Sequence, residues 1–448
     1  MCVAGAECSA RATYREEPGG RGTQMRIGSE RTARRLDRVA VIGLVGWLLF
    51  DLTARTVFGS VPWPQSVVDY RIIYDGSRHV VETHTYPTDN PYPYPPPAVA
   101  LHAASAVFPF RVSVALWLAL TGVAAAAVYF ALARTLGLLV RPGQLILLPL
   151  AHVVAAYYFQ WDMRSVNSNL IVLAALVFGC AALARARDGA AGFWFALSVA
   201  LKLLPVLVLP YLAWTRRWRA FAWAVAFSLV FWCAVPVAAF GVTGAGPVYE
   251  GWAAEITRAT DAQTKSHHPI LISLDKAALH LCAGDAARAK ALSLAVCVVW
   301  GLVGVCGAAS CWGNRERDAR SILTHVSLLV LGPVAVNPYL EAYHLVPLVV
   351  PALVLLVVGA DPTCGRFVRG FALAAFALAV LILKVSSPWP LRGLLVNAQA
   401  LVLCGAAVGV VYGRAKWRMR DTSAGRVEEV RGNRLTGLAR RLALHPKS

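Results

Sequence analysis

The sequence predicts an all-α polytopic membrane protein, and three observations carry that prediction. Hydrophobic residues make up 58% of the 448-residue chain against 15% charged, mean hydropathy is +0.57, and apolar runs of membrane-spanning length recur from Val39 to Tyr412. Stretches such as Leu116 to Ala133 are apolar on every face. The strands of a membrane barrel would alternate apolar and polar residues over about ten positions, so the spans are helices. The net charge of +19 is gathered largely at the ends: eight Arg against five acids in the first 38 residues, ten Lys/Arg against three acids in residues 414–448. Such tails mark the cytoplasmic side, so the charge gives no reason to expect nucleic acid as a partner. The chain divides into a basic cytoplasmic tail, 1–38, a membrane domain, 39–413, and a second basic cytoplasmic tail, 414–448. Asn433 to Leu444, with leucines spaced among arginines, suits a basic helix lying on anionic membrane lipids.

The elements follow in order. Val39 to Val57 has no small-residue cleavage site behind it and reads as a retained signal anchor running outward. A long outer loop leads from it to Pro97. Ala98 to Phe110 would rise about 20 Å against a core of about 30 Å, so it reads as a re-entrant or interfacial helix. Val112 to Ala133 comes in to Arg134 and Arg141, Gln144 to Phe159 goes out, and Gln160 to Ser168 forms an external polar turn. Asn169 to Ala184 returns to Arg185, Arg187 and Asp188.

One straight span over Ala190 to Trp214 would carry Arg216, Arg217 and Arg219 outside. Two short helices that rise, meet at Lys202-Leu-Leu-Pro205 and return keep those arginines in. Broken helices at membrane depth are tolerated where they line protein or a wet cavity, which makes Lys202 a site candidate. Ala220 to Phe240 goes out to a second long outer region, Gly241 to Asp285, which contains a short apolar piece, Ile270 to Leu281. Lys290 to Ser310, Leu323 to Val336, Leu345 to Val358, Phe371 to Val385 and Leu395 to Tyr412 complete about ten full spans plus the broken hairpin.

Ten cysteines raise the question of a disulfide framework or a metal site. Cys180, Cys233, Cys297, Cys306 and Cys404 fall within apolar spans, where Cys behaves as a small hydrophobe, and no C-x-x-C spacing occurs. No cofactor and no metal is expected.

This topology collects polar residues on the outer side. Asp69, Tyr74 and Asp89 fall on the first loop, Gln160, Asp162, Arg164, Asn167 and Asn169 on the second, His267 and His268 on the third, Glu341 and His344 on a fourth. A carboxylate can take the proton of a hydroxyl acceptor while Lys, Arg or protonated His holds a departing phosphate. Blander readings account for the same residues: an acid on a long loop is simply solvated, Tyr94-Pro-Pro-Pro97 starts a helix, and the amides cap the helix beginning at Asn169. Asp51 and Lys202, at membrane depth, are functional or paired.

The order of these residues resembles glycosyltransferase family 87, the polyprenyl-phosphate-mannose-dependent mannosyltransferases with the GT-C fold. The resemblance runs from about residue 40 to 360. It rests on Asp69 with Tyr74, Tyr94-Pro-Pro96, Gln160 with Asn167, Lys202-x-x-Pro205, Arg216 to Arg219, and Asn337-Pro338 with Tyr343-His344. The resemblance implies transfer of a hexose, in the first instance mannose, from a polyprenyl-phosphate donor to a glycolipid or glycan on the outer face of a bacterial plasma membrane. It makes Asp69 the base. It puts Lys202 and His344 near the donor phosphate and Tyr74, Tyr94, Gln160 and Asn167 in substrate binding; the outer-face set adds Arg164 as a further cation for the phosphate and Glu341 as a further substrate-binding candidate. Asn169 rivals Asn167 for the amide position, because the motif is spread over eight residues here. Two other classes remain open: another GT-C enzyme, such as an arabinosyltransferase, and a transporter of lipid-linked sugars, which should show two related halves.

Overall fold

Apolar helices without a polar face must be covered on all sides, by protein or by lipid, and the arrangement of this chain follows from which helices receive which cover. The computed structural model describes residues 20–54, 68–87, 94–265, 274–311, 318–336, 342–384 and 395–411. In chain order the helices are α1 Gly20–Ala54, α2 Val68–Thr83, α3 Pro96–Ala106, α4 Phe110–Thr135, α5 Leu147–Ser165, α6 Asn169–Ala184, α7 Asp188–Leu201 and α8 Val208–Trp214. They continue with α9 Trp218–Leu229, α10 Val235–Lys265, α11 Leu274–Leu281, α12 Ala286–Cys311, α13 Ala319–Val336, α14 Val349–Ala360 and α15 Arg366–Lys384, and α16 Leu395–Val411. There is no strand among the described residues.

The protein is a polytopic helical membrane protein. Among the described residues four helical stretches are long and apolar enough to cross a membrane, Phe110–Thr135, Trp218–Thr257, Ala286–Ala309 and Tyr343–Ala360, and five further apolar helices are shorter. The sequence reading expected ten full spans. A 3-10 stretch, Leu204–Leu207, follows the break in the hairpin, and another, Ala342–Leu348, leads into α14. Cover is uneven. The Tyr343–Ala360 window is 89% buried and forms the centre of the main core, whereas Trp218–Thr257 is 11% buried and presents apolar side chains outward.

Several boundaries depart from the sequence reading. Helix α1 starts at Gly20, well before Val39, so part of the basic tail is helical. Helix α5 runs on to Ser165, so Gln160 lies within a helix instead of a polar turn. The span from Ala220 passes through a π-turn, Val230–Ala234, and then bends at Gly241, where φ is +74° and only glycine sits easily. Helix α10 continues to Lys265 where a loop was expected, and it brings Gly244 against His84 and Gly251 against Tyr86.

The broken hairpin has a specific packing cause. Gly192, in the first half of α7, meets the backbone of Trp223 and Ala224 in the middle of α9, and Gly189 faces the same Trp223. The chain therefore returns between Leu201 and Trp218 to the end where α7 began. On its other side α7 inserts Phe195 against Gly179 of α6. Small residues at both contacts let α7 pack closely, backbone to backbone against α9 and ring to backbone against α6. Just past the end of α7, Lys202 adopts an extended conformation, φ −148° and ψ 137°.

Two apolar clusters result. The larger joins α4 to α7 with α13 to α16. The smaller gathers α2, α3 and the start of α4 with Val166, Phe240 and Val248. Met163 and Leu170 belong to the first and Val166 to the second, so the turn from Ser165 to Asn169 lies at their junction.

Candidate active site

That turn is built without the usual residue. Helix α5 ends with Asn167 N donating to Asp162 O at 3.0 Å and Val166 N to Met163 O at 3.2 Å, and Val166 is left-handed at φ 52°, ψ 45°. Glycine normally takes this place. A β-branched residue there is a strained exception, held by its complete burial in the smaller cluster. The turn aims Asn167 and Asn169 at Lys202, just past the tip of α7, and sets Ser165 beside Asp69.

Lys202 Nζ donates to Asn167 Oδ1 at 3.0 Å and to Asn169 Oδ1 at 2.7 Å. It also sits over two rings, 5.8 Å from the centre of Tyr94 and 5.6 Å from that of Tyr343, a geometry that favours the cation. Asn167 Oδ1 further accepts from Ser168 N at 2.8 Å and from Tyr94 OH at 3.3 Å. Its oxygen is thereby committed, and its amide nitrogen is turned to Asp69. On the other flank Asn169 Nδ2 donates to Asp162 Oδ1 at 2.7 Å, and Leu170 N donates to Asp162 Oδ2 at 3.1 Å. Asn167, Lys202, Asn169 and Asp162 are thus one hydrogen-bonded chain, with Asp69 beside its Asn167 end.

Asp69 is held in this position by its neighbours on α2. Tyr70 OH bonds to Ser113 Oγ at 2.6 Å and Tyr74 OH donates to the Phe108 carbonyl at 2.8 Å, so α2 is pinned to α4 and the α3–α4 turn. Enclosure pushes the Asp69 carboxyl above its ordinary range. A hydrogen bond from Tyr343, the charge of Lys202, and hydrogen bonds from Ser165 and Asn167 pull the other way. The result is a carboxylate that takes up a proton more readily than a free aspartate.

Tyr94 is fixed from three sides. The Tyr86 hydroxyl bonds to its carbonyl, Pro95 and Pro96 start α3 directly behind it, and its ring meets His102 edge-on at 5.4 Å. Trp117 packs on His102 at 4.8 Å and donates from Nε1 to the Asn167 carbonyl at 3.4 Å. Next to Lys202 an apolar cleft opens, walled by Asn169, Leu173, Pro205, Val334 and His344. It continues along α6 and α13 past Leu176 and Val330 toward Cys180 and Leu323.

The structure therefore brings together Asp69, Tyr94, Asn167, Asn169 and Lys202, with His344 on the wall of the adjoining cleft. It does not bring Tyr74, which anchors α2, or Arg164, which is exposed and stacks over Trp161 at 5.1 Å. Gln160 is half-buried on α5, and no hydrogen bond joins it to this set among the described residues. Glu341, Asp89, His267 and His268 lie outside the described residues. Among the described residues no group of three or more His, Cys, Asp or Glu is placed to hold a metal. Sequence reasoning gave no role in the site to Ser165 or Tyr343, and placed Asp162 on the second outer loop without an assigned role. A signal for Asp162 was present, an acid followed after six residues by an amide at a helix start.

No curated protein and no solved structure matches the chain. A family model described as Glycosyltransferase family 87 matches residues 92–338, more than half of the chain, and these include Tyr94, Asp162, Asn167, Asn169 and Lys202 but not Asp69, Tyr343 or His344. The chain belongs to glycosyltransferase family 87.

Proposed function

We propose that this membrane glycosyltransferase moves a hexose, mannose in the first instance, from a polyprenyl-phosphate donor to a hydroxyl of a glycolipid or glycan at the outer face of the plasma membrane. The observation that carries the reading is the pairing of Asp69 with Lys202 through Asn167, beside a cleft whose walls are polar at one end and apolar along the rest. A substrate with a phosphate head and an isoprenoid tail matches that gradient. The GT-C architecture and an outward-facing site belong to the same reading, supported by the arginines that flank the far ends of α6, α7 and α9.

The reaction is a single displacement. The acceptor oxygen attacks the anomeric carbon, its proton passes to the Asp69 carboxylate, and the bond from that carbon to the phosphate oxygen breaks. Polyprenyl phosphate departs with the bonding electron pair, its charge met by Lys202 and by His344 on the cleft wall. Asn167 lies between the two functions: its oxygen holds the lysine, and its side chain favours the ionised form of the base. Phosphate is a good leaving group, and the chain supplies both the base and the cation. The test is transfer of radiolabelled mannose from synthetic polyprenyl-phosphate mannose to membrane lipid extract by the purified protein. Product is expected; its absence with folded protein across several polyprenyl-phosphate sugars would favour the transporter reading.

A further inference from the structure

We propose that Asp162 is a positioning residue that holds Lys202 in place by fixing which way the Asn169 amide points; the role in turnover rests on the donor reading above. Asp162 is fully buried at the end of α5. Its two oxygens accept from Asn169 Nδ2 and from Leu170 N, the latter an otherwise orphaned donor of the first turn of α6. Ser168, at the cap position, makes no capping bond with its own side chain, so the carboxylate from the preceding helix takes that role.

An amide has one acceptor end and one donor end. Because a carboxylate can only accept, Asp162 forces the Asn169 nitrogen toward itself and thereby the Asn169 oxygen toward Lys202, where it receives the 2.7 Å bond. Asparagine at 162 removes that constraint. If its oxygen serves Leu170 N, its nitrogen faces Asn169, which must flip and present a donor to the ammonium. If instead its nitrogen faces Leu170 N, two donors meet at the helix start. One conflict is unavoidable in either case, although Asn is as good a helix cap as Asp. Exchanging the pair resolves it: in Asp162→Asn with Asn169→Asp, the carboxylate at 169 accepts from both the 162 amide and Lys202, and the 162 oxygen still serves Leu170 N.

The experiment is the complete exchange cycle in the full-length protein, with two readouts. One is transfer from polyprenyl-phosphate mannose. The other is the rate at which Lys202 is acylated by an amine-directed reagent in the absence of donor, read by mass spectrometry. Each single variant is expected to slow turnover by about 10- to 100-fold, the loss carried by one charge-assisted hydrogen bond; Asp162→Asn is expected to raise Lys202 reactivity, whereas Asn169→Asp sets a carboxylate directly on the ammonium and is expected not to raise it. The exchanged pair is expected to recover most of both. Unchanged Lys202 reactivity in Asp162→Asn would overturn the proposal, since a residue that merely caps α6 predicts that result. Failure of the exchanged pair to recover also overturns it, and would point to Asp162 itself touching substrate. If wild-type protein transfers nothing while Lys202 reactivity follows the cycle, the donor reading fails and the hold of Asp162 on Lys202 stands.

Discussion

Replacing Asp69 by asparagine separates chemistry from stability at one atom pair. The neutral isostere retains an oxygen to receive the hydrogen bonds from Tyr343 and Ser165 and loses one acceptor where Asn167 donates, a deficit of about 1 kcal/mol. Against that stands the removal of a charge the site holds at a cost. Enclosure outweighs Lys202 and all three hydrogen bonds, since the net direction of the carboxyl is upward from 3.8. An acid whose folded pKa lies above its unfolded one weakens the native state at pH values above both, and that penalty fades as pH falls through the folded value. Asp69→Asn is therefore expected to melt at or above the wild-type temperature at neutral pH, with the gap closing in acid. Transfer should fall by about 10² to 10⁴-fold, the share a general base supplies. The assay is radiolabelled mannose transfer with thermal melts of the same detergent preparations. Near-normal turnover by the folded variant would refute the assignment and move the base to Asp51, Asp89, Asp162 or Glu341. A strongly lowered melting temperature would refute the electrostatic account.

Tyr343→Phe removes a hydrogen bond that favours ionised Asp69, so the acid limb of kcat/KM should move to higher pH while the plateau changes less; an unmoved limb would separate Tyr343 from the base. Gly179→Ala places a methyl 2.5 Å from the ring of Phe195, and a cost of about 1 to 3 kcal/mol is expected, relieved by adding Phe195→Leu. Gly192→Ala meets the Ala224 backbone nitrogen at 2.6 Å as well as Trp223, so trimming Trp223 to Ala should not relieve it; melting temperatures of the four proteins decide. Arg320→Met strands Asp361, which is buried and bonded to Arg320 at 3.0 Å, at about 3 to 5 kcal/mol. Adding Asp361→Asn should return part of that loss, because Asp361 Oδ1 can still be replaced by an amide oxygen for Thr363.

How much of this was legible depends on how local the cause is. The break at Lys202 could be read because two independent constraints met there: a lysine and a proline inside an apolar run, and arginines on both flanks that had to share one side. The end of α5 could not. Arg164-Ser-Val-Asn167 contains no glycine or proline, and Val166 takes a left-handed conformation because burial in the smaller cluster holds it there, a tertiary cause with no sequence mark. Tyr74 was misread for a related reason. A tyrosine one turn beyond an acid can face the site or anchor the helix, and the choice was made by the carbonyl of Phe108, more than thirty residues later. Tyr343 joins Asp69 across 274 positions, a contact no window along the chain contains.

The uneven cover of the helices ties these parts into one device. A helix as apolar as Val349–Ala360 is indifferent to whether protein or lipid surrounds it, so its burial has to come from neighbours that leave no room for lipid. Helices α9 and α12 carry equally apolar surfaces and remain exposed, which suits the lipid-facing side. The polar chain from Asp69 to Asp162 sits where neither solution applies. It needs hydrogen-bond partners that lipid cannot give and separation from water that a surface loop cannot give. The break after α7, whose helix packs closely on α6 and α9, provides such a place, because the amides of the α5–α6 turn reach the lysine there. Both amide orientations are then dictated by their neighbours, and a charge held this rigidly is already arranged for a departing phosphate before any substrate arrives.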